Sequence, residues 1–389
     1  MNDETFRIRL ILLLHDGAVK NMKQSRGLVS WLAELTGAEV LEAKVPVLTG
    51  AARNRANNAV SKLPEGNRRD ARDWLALADG DLLVRQVGQW FAERNIHEGT
   101  REVLVVSSGE TPAPYNLALG YMWRCSCATV SAPSNIGTEP FDFAIVPEYE
   151  FPKRKPNVLV TMGAPNSINE ESVKREAKRV LSEFPPRSDK RWGIIIGGDD
   201  AYFSISKDWI KKNIGHILRI AESEGSDVYI ATSANTSPDA LKMLEALINS
   251  SEAARTCFIA SECLYDPLPA LFGLSDEVFC TEDLTDSVTE AITAGKRPII
   301  LRSEHRKGIH GTLQNITAAL VEHGAVSKNI LWGIPKNDMV YDHFARHGYV
   351  IDFREWLYER LEGSAESDKN DVEFNESKRA AQWIIDNWN

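Results

Sequence analysis

The sequence predicts an α/β protein built from two doubly wound, Rossmann-like domains, and three observations carry that expectation. The second half alternates short apolar runs with amphipathic stretches at a regular interval, the pattern of a parallel sheet covered by helices. The first half opens with the same β-α-β arrangement. Between the halves, Pro185-Pro186 and a polar run to Arg191 end a helix and bury nothing. A chain of 389 residues is too long for one ordinary domain and comfortable as two.

Ile8 to Leu14 reads as a buried first strand, too short and interrupted by Arg9 to be a signal peptide or membrane span. It runs into His15-Asp16-Gly17. Gln24 to Thr36 follows as a helix with Leu28, Trp31, Leu32 and Leu35 on one face, and Ala38 to Val45 as the second strand. Residues 49 to 80 are polar and helical, and Leu82 to Glu93 is amphipathic. Val103 to Val106 closes on Ser107-Ser108-Gly109 and leads into a helix from Pro114 to Cys125. Short strands at 128–131, 143–146 and 158–161 and a helix at 170–184 complete the first half, giving a first domain of residues 1 to 186.

Ile194 to Ile196 opens the second domain, 187 to 362, and stops at Gly197-Gly198-Asp199-Asp200. Helices from Lys207, Pro238, Pro267 and Ser287 alternate with strands at 228–232, 256–260, 277–281 and 297–301, and Gly308 to His323 is one more helix. Residues 363 to 389 read as an acidic, flexible linker and a last amphipathic helix, Ser377 to Trp388.

Composition narrows the function. Hydrophobic residues at 43% and charged residues at 26% are those of a soluble globular protein. A net charge of −10 argues against general affinity for nucleic acid or an anionic membrane, while local peripheral contact stays open. Five cysteines, few and odd in number, suggest reduced thiols in a cytoplasmic setting. Cys125-x-Cys127 stands without a second pair, Asp79-Gly80-Asp81 follows a helix, and Asp342-His343-x-x-x-His347 lacks the acid of a zinc motif, so no metal site is expected. No G-x-G-x-x-G, P-loop or G-x-S-x-G occurs, which removes the main support for nicotinamide, P-loop and α/β-hydrolase chemistry.

Glycines, hydroxyls and carboxylates collect after successive strands of the second half: Gly197-Gly198-Asp199, Thr232-Ser233, and Thr281 through Ser287 with Glu290. Carboxyl ends of parallel strands share one edge, where open α/β sheets bind ligands. Backbone N–H groups and hydroxyls suit phosphate oxygens, and a carboxylate suits a ribose diol. Each hydroxyl taken singly also reads as a helix N-cap.

Together these residues resemble the ELM1-like family of glycosyltransferases, named for a plant mitochondrial-fission protein. The resemblance covers roughly residues 10 to 330. Its elements are Asp16-Gly17 with Gln24-Ser25-x-Gly27-Leu28, Ser107-x-Gly109 with Ala113-Pro114, Phe141-Asp142 with Val146-Pro147-Glu148, and Asn157 to Thr161 with Gly163-Ala164. In the second half they are Ile196-Gly197-Gly198-Asp199 with Tyr202, Thr232-Ser233, Thr281 to Ser287 with Glu290-Ala291, and Gly295-Lys296. The resemblance implies the GT-B architecture, with two domains facing a cleft and a final helix crossing back onto the first. It implies a nucleoside-diphosphate-sugar donor, no cofactor, and an acceptor left open. Gly197, Gly198 and Asp199 would hold the diphosphate by backbone N–H groups or the sugar by a carboxylate. Thr232, Ser233, Thr281 and Ser287 would contact phosphate or base, Glu290 the ribose, and Lys296 would offset charge on the leaving diphosphate. His15 or Asp16 is the candidate base, Asp16 being equally suited to cap the first helix. A non-catalytic scaffold working through protein partners, and a non-hydrolysing nucleotide-sugar epimerase, are the competing readings.

Overall fold

A computed structural model describes residues 8–200, 202–305, 336–362 and 373–388. The chain forms two compact units, Met1–Ser167 with Asn375–Asn389, and Ile168–Phe374.

In the first unit, Leu10–His15 (β1) carries five consecutive leucines or isoleucines buried on both faces, as a central parallel strand requires. The helix Val19–Thr36 (α1) returns the chain to Glu39–Lys44 (β2), a strand exposed at most positions and placed at the sheet edge. Three helices follow: Gly50–Val60 (α2) and Arg68–Leu77 (α3) account for the polar segment, and Asp81–Glu93 (α4) is the amphipathic helix after it. The chain then runs through Val103–Ser108 (β3), Pro112–Trp123 (α5), Ser126–Val130 (β4), Phe143–Pro147 (β5) and Val158–Thr161 (β6). All six strands are parallel, in the order β2-β1-β3-β4-β5-β6. Leu10, Leu12 and Leu14 face Trp74 and Tyr115 on one side, while Ile11 and Leu13 face Leu28 and Leu32 on the other.

The second unit begins with Glu170–Glu183 (α6). The sheet is built from Arg191–Ile196 (β7), Asp227–Thr232 (β9), Ala254–Phe258 (β10), Glu277–Thr281 (β11), Ile299–Leu301 (β12) and Ile351–Asp352 (β14). These strands are parallel in the order β10-β9-β7-β11-β12-β14. A small antiparallel ribbon joins Phe203–Ser204 (β8) to Glu304–His305 (β13). Between the strands lie Lys207–Trp209 (α7), a π turn at Ile210–Ile214, Gly215–Glu224 (α8), Pro238–Ser250 (α9), Leu268–Leu274 (α10) and Thr285–Thr293 (α11). Lys336–Arg346 (α12) and Phe353–Glu362 (α13) complete the unit. The expected helix at 308–323 and the acidic stretch at 363–372 lie outside the described residues.

The break between units falls after Ser167, not after Pro186. α6 packs on α10 so closely that a Cβ on Gly273 would lie 2.6 Å from the Val173 carbonyl. The diproline does end α6, but the run beyond it is anchored. Asp227 Oδ2 accepts the Arg187 and Ser188 N–H groups at 2.5 and 2.9 Å, and Arg255 donates to the Pro185 carbonyl at 2.5 Å.

The last helix, Glu376–Asp386 (α14), closes the first unit. Ser377 Oγ donates to the Asn166 carbonyl and accepts the Asn166 N–H, each at 2.8 Å. Ala380, Ala381 and Ile384 complete the face of the sheet already covered by α1. Phe143 sits against Trp383 and stacks on Trp388, with ring centroids 5.7 and 5.9 Å away. A Cβ on Gly27 would meet the Asn166 carbonyl at 2.0 Å, so α1 approaches this junction only through a glycine.

Candidate functional site

Strand order locates the sites. In a doubly wound sheet, strands on the two sides of the first one are reached by connections over opposite faces, which leaves a crevice at the carboxyl ends where the order reverses. In the second unit that point lies between β7 and β11, and in the first between β1 and β3.

At the β7–β11 reversal the Gly197 N–H donates to Thr281 Oγ1 at 2.8 Å, and the Gly198 N–H to Asp283 Oδ2 at 2.9 Å. The Thr281 hydroxyl in turn donates to the Asp283 carboxylate. The Asp199 N–H donates to the Asn235 carbonyl at 3.0 Å. All three amides expected to cradle a diphosphate are therefore taken by the protein itself. Both glycines have a steric cause as well, since a Cβ on Gly197 would lie 1.8 Å from Asp283 and one on Gly198 2.1 Å from the Asn235 backbone.

The two aspartates of the turn are similarly engaged. Asp199 Oδ1 accepts from the Ser204 hydroxyl at 2.9 Å and the Ile205 N–H at 3.1 Å. Asp200 Oδ1 accepts the N–H groups of Tyr202 and Phe203, each at 2.6 Å. Both side chains shape the loop that leads into β8. Thr232 Oγ1 accepts the Ala260 N–H at 3.1 Å, and Ser233 Oγ accepts the Asn235 N–H at 3.2 Å. Thr236 donates to the Gly197 carbonyl at 2.5 Å and thereby clamps the end of β9 onto the glycine turn.

What remains for an anion is the start of α11. This helix leaves β11 at the reversal point, and no side chain caps it. Side-chain caps are present on α6, α9 and α14, from Asn169, Ser237 and Asn375, and absent from α1 and α5 as from α11. The first turn of an uncapped helix offers backbone N–H groups and the positive end of its dipole to a negative ligand. Half-buried Ser287 lies in that turn, and Glu290, one turn on and on the same face, is buried with 4% exposure. The charges of Asp283 and Glu290 both add to the burial that raises the Cys280 thiol pKa.

Lys296 lies elsewhere. It follows the end of α11, and its ammonium donates to the Ser275 carbonyl at 2.6 Å, before the start of β11. That is the amino edge of the sheet, the full length of β11 from the crevice, so Lys296 cannot meet a diphosphate bound there. A cation at the carboxyl edge is Arg302, directly after β12, which bonds Glu282 Oε2 at 3.0 Å and Asp352 Oδ2 at 3.1 Å.

Two acids of the 281–287 stretch, given no individual role from the sequence, organise this edge. Glu282, 1% exposed, takes the Ser303 N–H at 2.6 Å, and its carbonyl accepts the Tyr341 hydroxyl at 2.7 Å. Asp283 has its pKa raised by burial, with the Thr281 and Gly198 hydrogen bonds opposing the shift and the nearby Asp200 charge adding to it. Its Oδ1 is buried without a hydrogen-bond partner among the described residues. The only sequence signal for either was the T-E-D-L-T-D run at 281–286.

At the β1–β3 reversal, His15 Nε2 lies 3.2 Å from Glu42 Oε1, a carboxylate on β2 that also pairs with Arg26 at 2.6 Å. His15 Nδ1 is buried without a partner among the described residues. A proton on Nε2 directed at Glu42 leaves a lone pair on Nδ1. Asp16 Oδ1 accepts the Ala18 N–H at 2.9 Å and so shapes the turn into α1. Beside them the Ser108 hydroxyl donates to Gln24 at 3.0 Å. Glu42 reaches His15 through strand pairing, a relationship a single sequence does not display.

Among the described residues no three His, Cys, Asp or Glu side chains converge as metal ligands would, and His347 Nδ1 lies 2.9 Å from the His343 carbonyl. No described helix is long and apolar enough to cross a membrane.

A family model described as mitochondrial fission ELM1 matches residues 21–388. Solved structures similar to this one include a protein assigned as a UDP-N-acetylglucosamine 2-epimerase from Listeria monocytogenes, with TM-score 0.53, 11% identity, and coverage of 97% of this chain and 95% of that one. Another is the UDP-GlcNAc 2-epimerase from Methanocaldococcus jannaschii, with TM-score 0.52, 11% identity, and coverage of 97% and 98%. At that identity the likeness is one of fold, and the fold is GT-B. No curated protein matches the sequence.

Proposed function

The chain belongs to the mitochondrial fission ELM1 family, and from that premise we propose that it is a glycosyltransferase that moves a sugar from a nucleoside-diphosphate sugar to an acceptor hydroxyl. The observation that carries the proposal is the uncapped start of α11 at the strand-order reversal of the second unit. There the helix dipole and the first-turn N–H groups meet the diphosphate, Ser287 adds a hydroxyl, and Glu290 takes the ribose diol. Thr281, bonded to the Gly197 N–H, builds the floor of this site with the 197–199 turn, and Thr232 and Ser233 fix the neighbouring strand end through Ala260 and Asn235. Asp283 and Glu282 hold the strand ends in place. Breaking the bond between the sugar carbon and the phosphate oxygen leaves an electron pair on the diphosphate. Arg302 and the α11 N-terminus stabilise that developing charge because they are fixed before it appears.

The acceptor's proton passes to His15 Nδ1, whose ring Glu42 orients through Nε2. Asp16 is the weaker candidate for this role, because its carboxylate is engaged by the Ala18 N–H. The names of the two structural neighbours specify UDP-sugar chemistry, which fits the donor class proposed here.

Thermal unfolding of the full chain with nucleoside diphosphates and their sugars tests the reading. A ligand at a hundred times its dissociation constant adds about 2.7 kcal/mol of stability. A shift with one nucleotide class supports the donor site, and product analysis then separates transfer from release of an epimerised free sugar. No shift with any of them would favour a scaffold that acts through protein partners.

A further inference from the structure

The first unit holds a polar cavity at the opposite edge of the sheet from the β1–β3 reversal. It has a volume of about 1020 Å³, and its lining includes Arg68, Arg69, Arg72, Tyr121, Arg124 and Asp142. Its walls are the start of α3, the end of α5, and the segments entering β4 and β5. These segments lead into strands, so the cavity is at the amino edge. A site for a small organic ligand commonly measures about 300–1,000 Å³.

The charge in this cavity is not explained by the fold. Three arginines stand within the first five residues of α3, at the end of a helix that disfavours cations. The helix start needs nothing from them, because Asn67 and Asp70 form a complete capping box. Arg68 is held by Glu98 at 2.6 Å, and Arg124 reaches the same carboxylate at 3.6 Å. Arg69 and Arg72 have no carboxylate partner among the described residues, in a chain whose net charge is −10. The acids on the wall do little to offset them. Asp142 takes the Cys127 N–H at 2.7 Å, and Asp73 is exposed. The two thiols at the cavity floor carry no charge, since burial raises both, Cys125 to about 12.

We propose that this cavity binds a phosphate-bearing small molecule, with Arg69 and Arg72 as the phosphate ligands and Tyr121 and Asp142 facing its uncharged part. A guanidinium offers a planar pair of donors that matches two phosphate oxygens, and two such groups one turn apart on α3 converge on one anion. Asp142 is an acceptor for a hydroxyl or amino group of the ligand. The site is separate from the proposed donor site and does not depend on it.

The test is calorimetric titration of the full chain with inorganic pyrophosphate at rising salt, on the wild type, R69A/R72A, R69K/R72K and S287A. The arginines are exposed, so the alanine pair should fold, and circular dichroism checks that it does. The expected result is binding that weakens with salt, falls at least about tenfold in R69A/R72A, and recovers in part in R69K/R72K. Pyrophosphate binding equal in R69A/R72A and wild type would overturn the proposal, as would no binding to the wild type at millimolar pyrophosphate. Loss confined to S287A would assign the anion to the donor site and overturn it equally.

Discussion

A Cβ on Gly197 would lie 1.8 Å from Oδ2 of Asp283, the same oxygen that accepts the Gly198 N–H at 2.9 Å. The carboxyl ends of β7 and β11 are thus fastened at a point where only hydrogen fits. Gly197→Ala must displace a buried carboxylate or shift the turn, an overpacking cost of about 1–3 kcal/mol. Urea unfolding of the full chain measures it. Combining the change with Asp283→Ala should give a loss smaller than the sum, with a coupling of about 0.5–3 kcal/mol. Strict additivity would mean that the two residues do not meet.

The raised pKa of Asp283 has a stability consequence with a definite sign. Burial makes the folded protein hold this proton more tightly than the unfolded chain does. The stabilising contribution is therefore complete below the unfolded pKa and is lost as pH rises through the folded one. Asp283→Asn keeps an oxygen for Gly198 and Thr281 but removes the charge. Its stability relative to wild type should rise with pH from about pH 4 upward and then level off. A difference that stays constant with pH would contradict the buried charge.

Much of this fold could be read from the sequence. Ile194 to Ile196 followed by two glycines announced a buried strand with a tight turn at its carboxyl end, and β7 sits centrally in its sheet. The role of the turn was not legible. Glycine admits a close approach, and the sequence does not say whether a ligand or Asp283 approaches. The boundary was misplaced because the apolar face of α6 does not declare which sheet it covers, and its partner α10 lies far along the chain. Lys296 could have been placed correctly, because a residue between a helix and the next parallel strand belongs to the amino edge. Glu42 could not, since its tie to His15 exists only once β1 and β2 pair.

The junction of α14 with the first unit rests on Ser377, whose hydroxyl satisfies both backbone groups of Asn166. Ser377→Ala leaves a buried N–H and a buried carbonyl unpaired, a loss of about 1–3 kcal/mol. Thermal unfolding reads the loss, and limited proteolysis near residue 375 should become faster. Wild-type resistance in the variant would show that α14 docks by apolar contact alone.

His15 and Glu42 make separable kinetic predictions once an acceptor is in hand. His15→Asn should lower kcat about 10²–10⁴-fold with little change in the donor KM. Glu42→Gln should lower it less, because the ring remains but loses its orienting carboxylate. An unchanged kcat in His15→Asn would move the base to another residue.

The central claim is that the start of α11 receives the diphosphate, and calorimetric titration of the full chain with UDP tests it most directly. The wild type should bind. Lys296→Ala, at the far edge of the sheet, should stay within about twofold of it, and Ser287→Ala should bind at least about tenfold more weakly. Equal affinity in Ser287→Ala and wild type, or no heat from UDP or any other nucleoside diphosphate, would contradict the account.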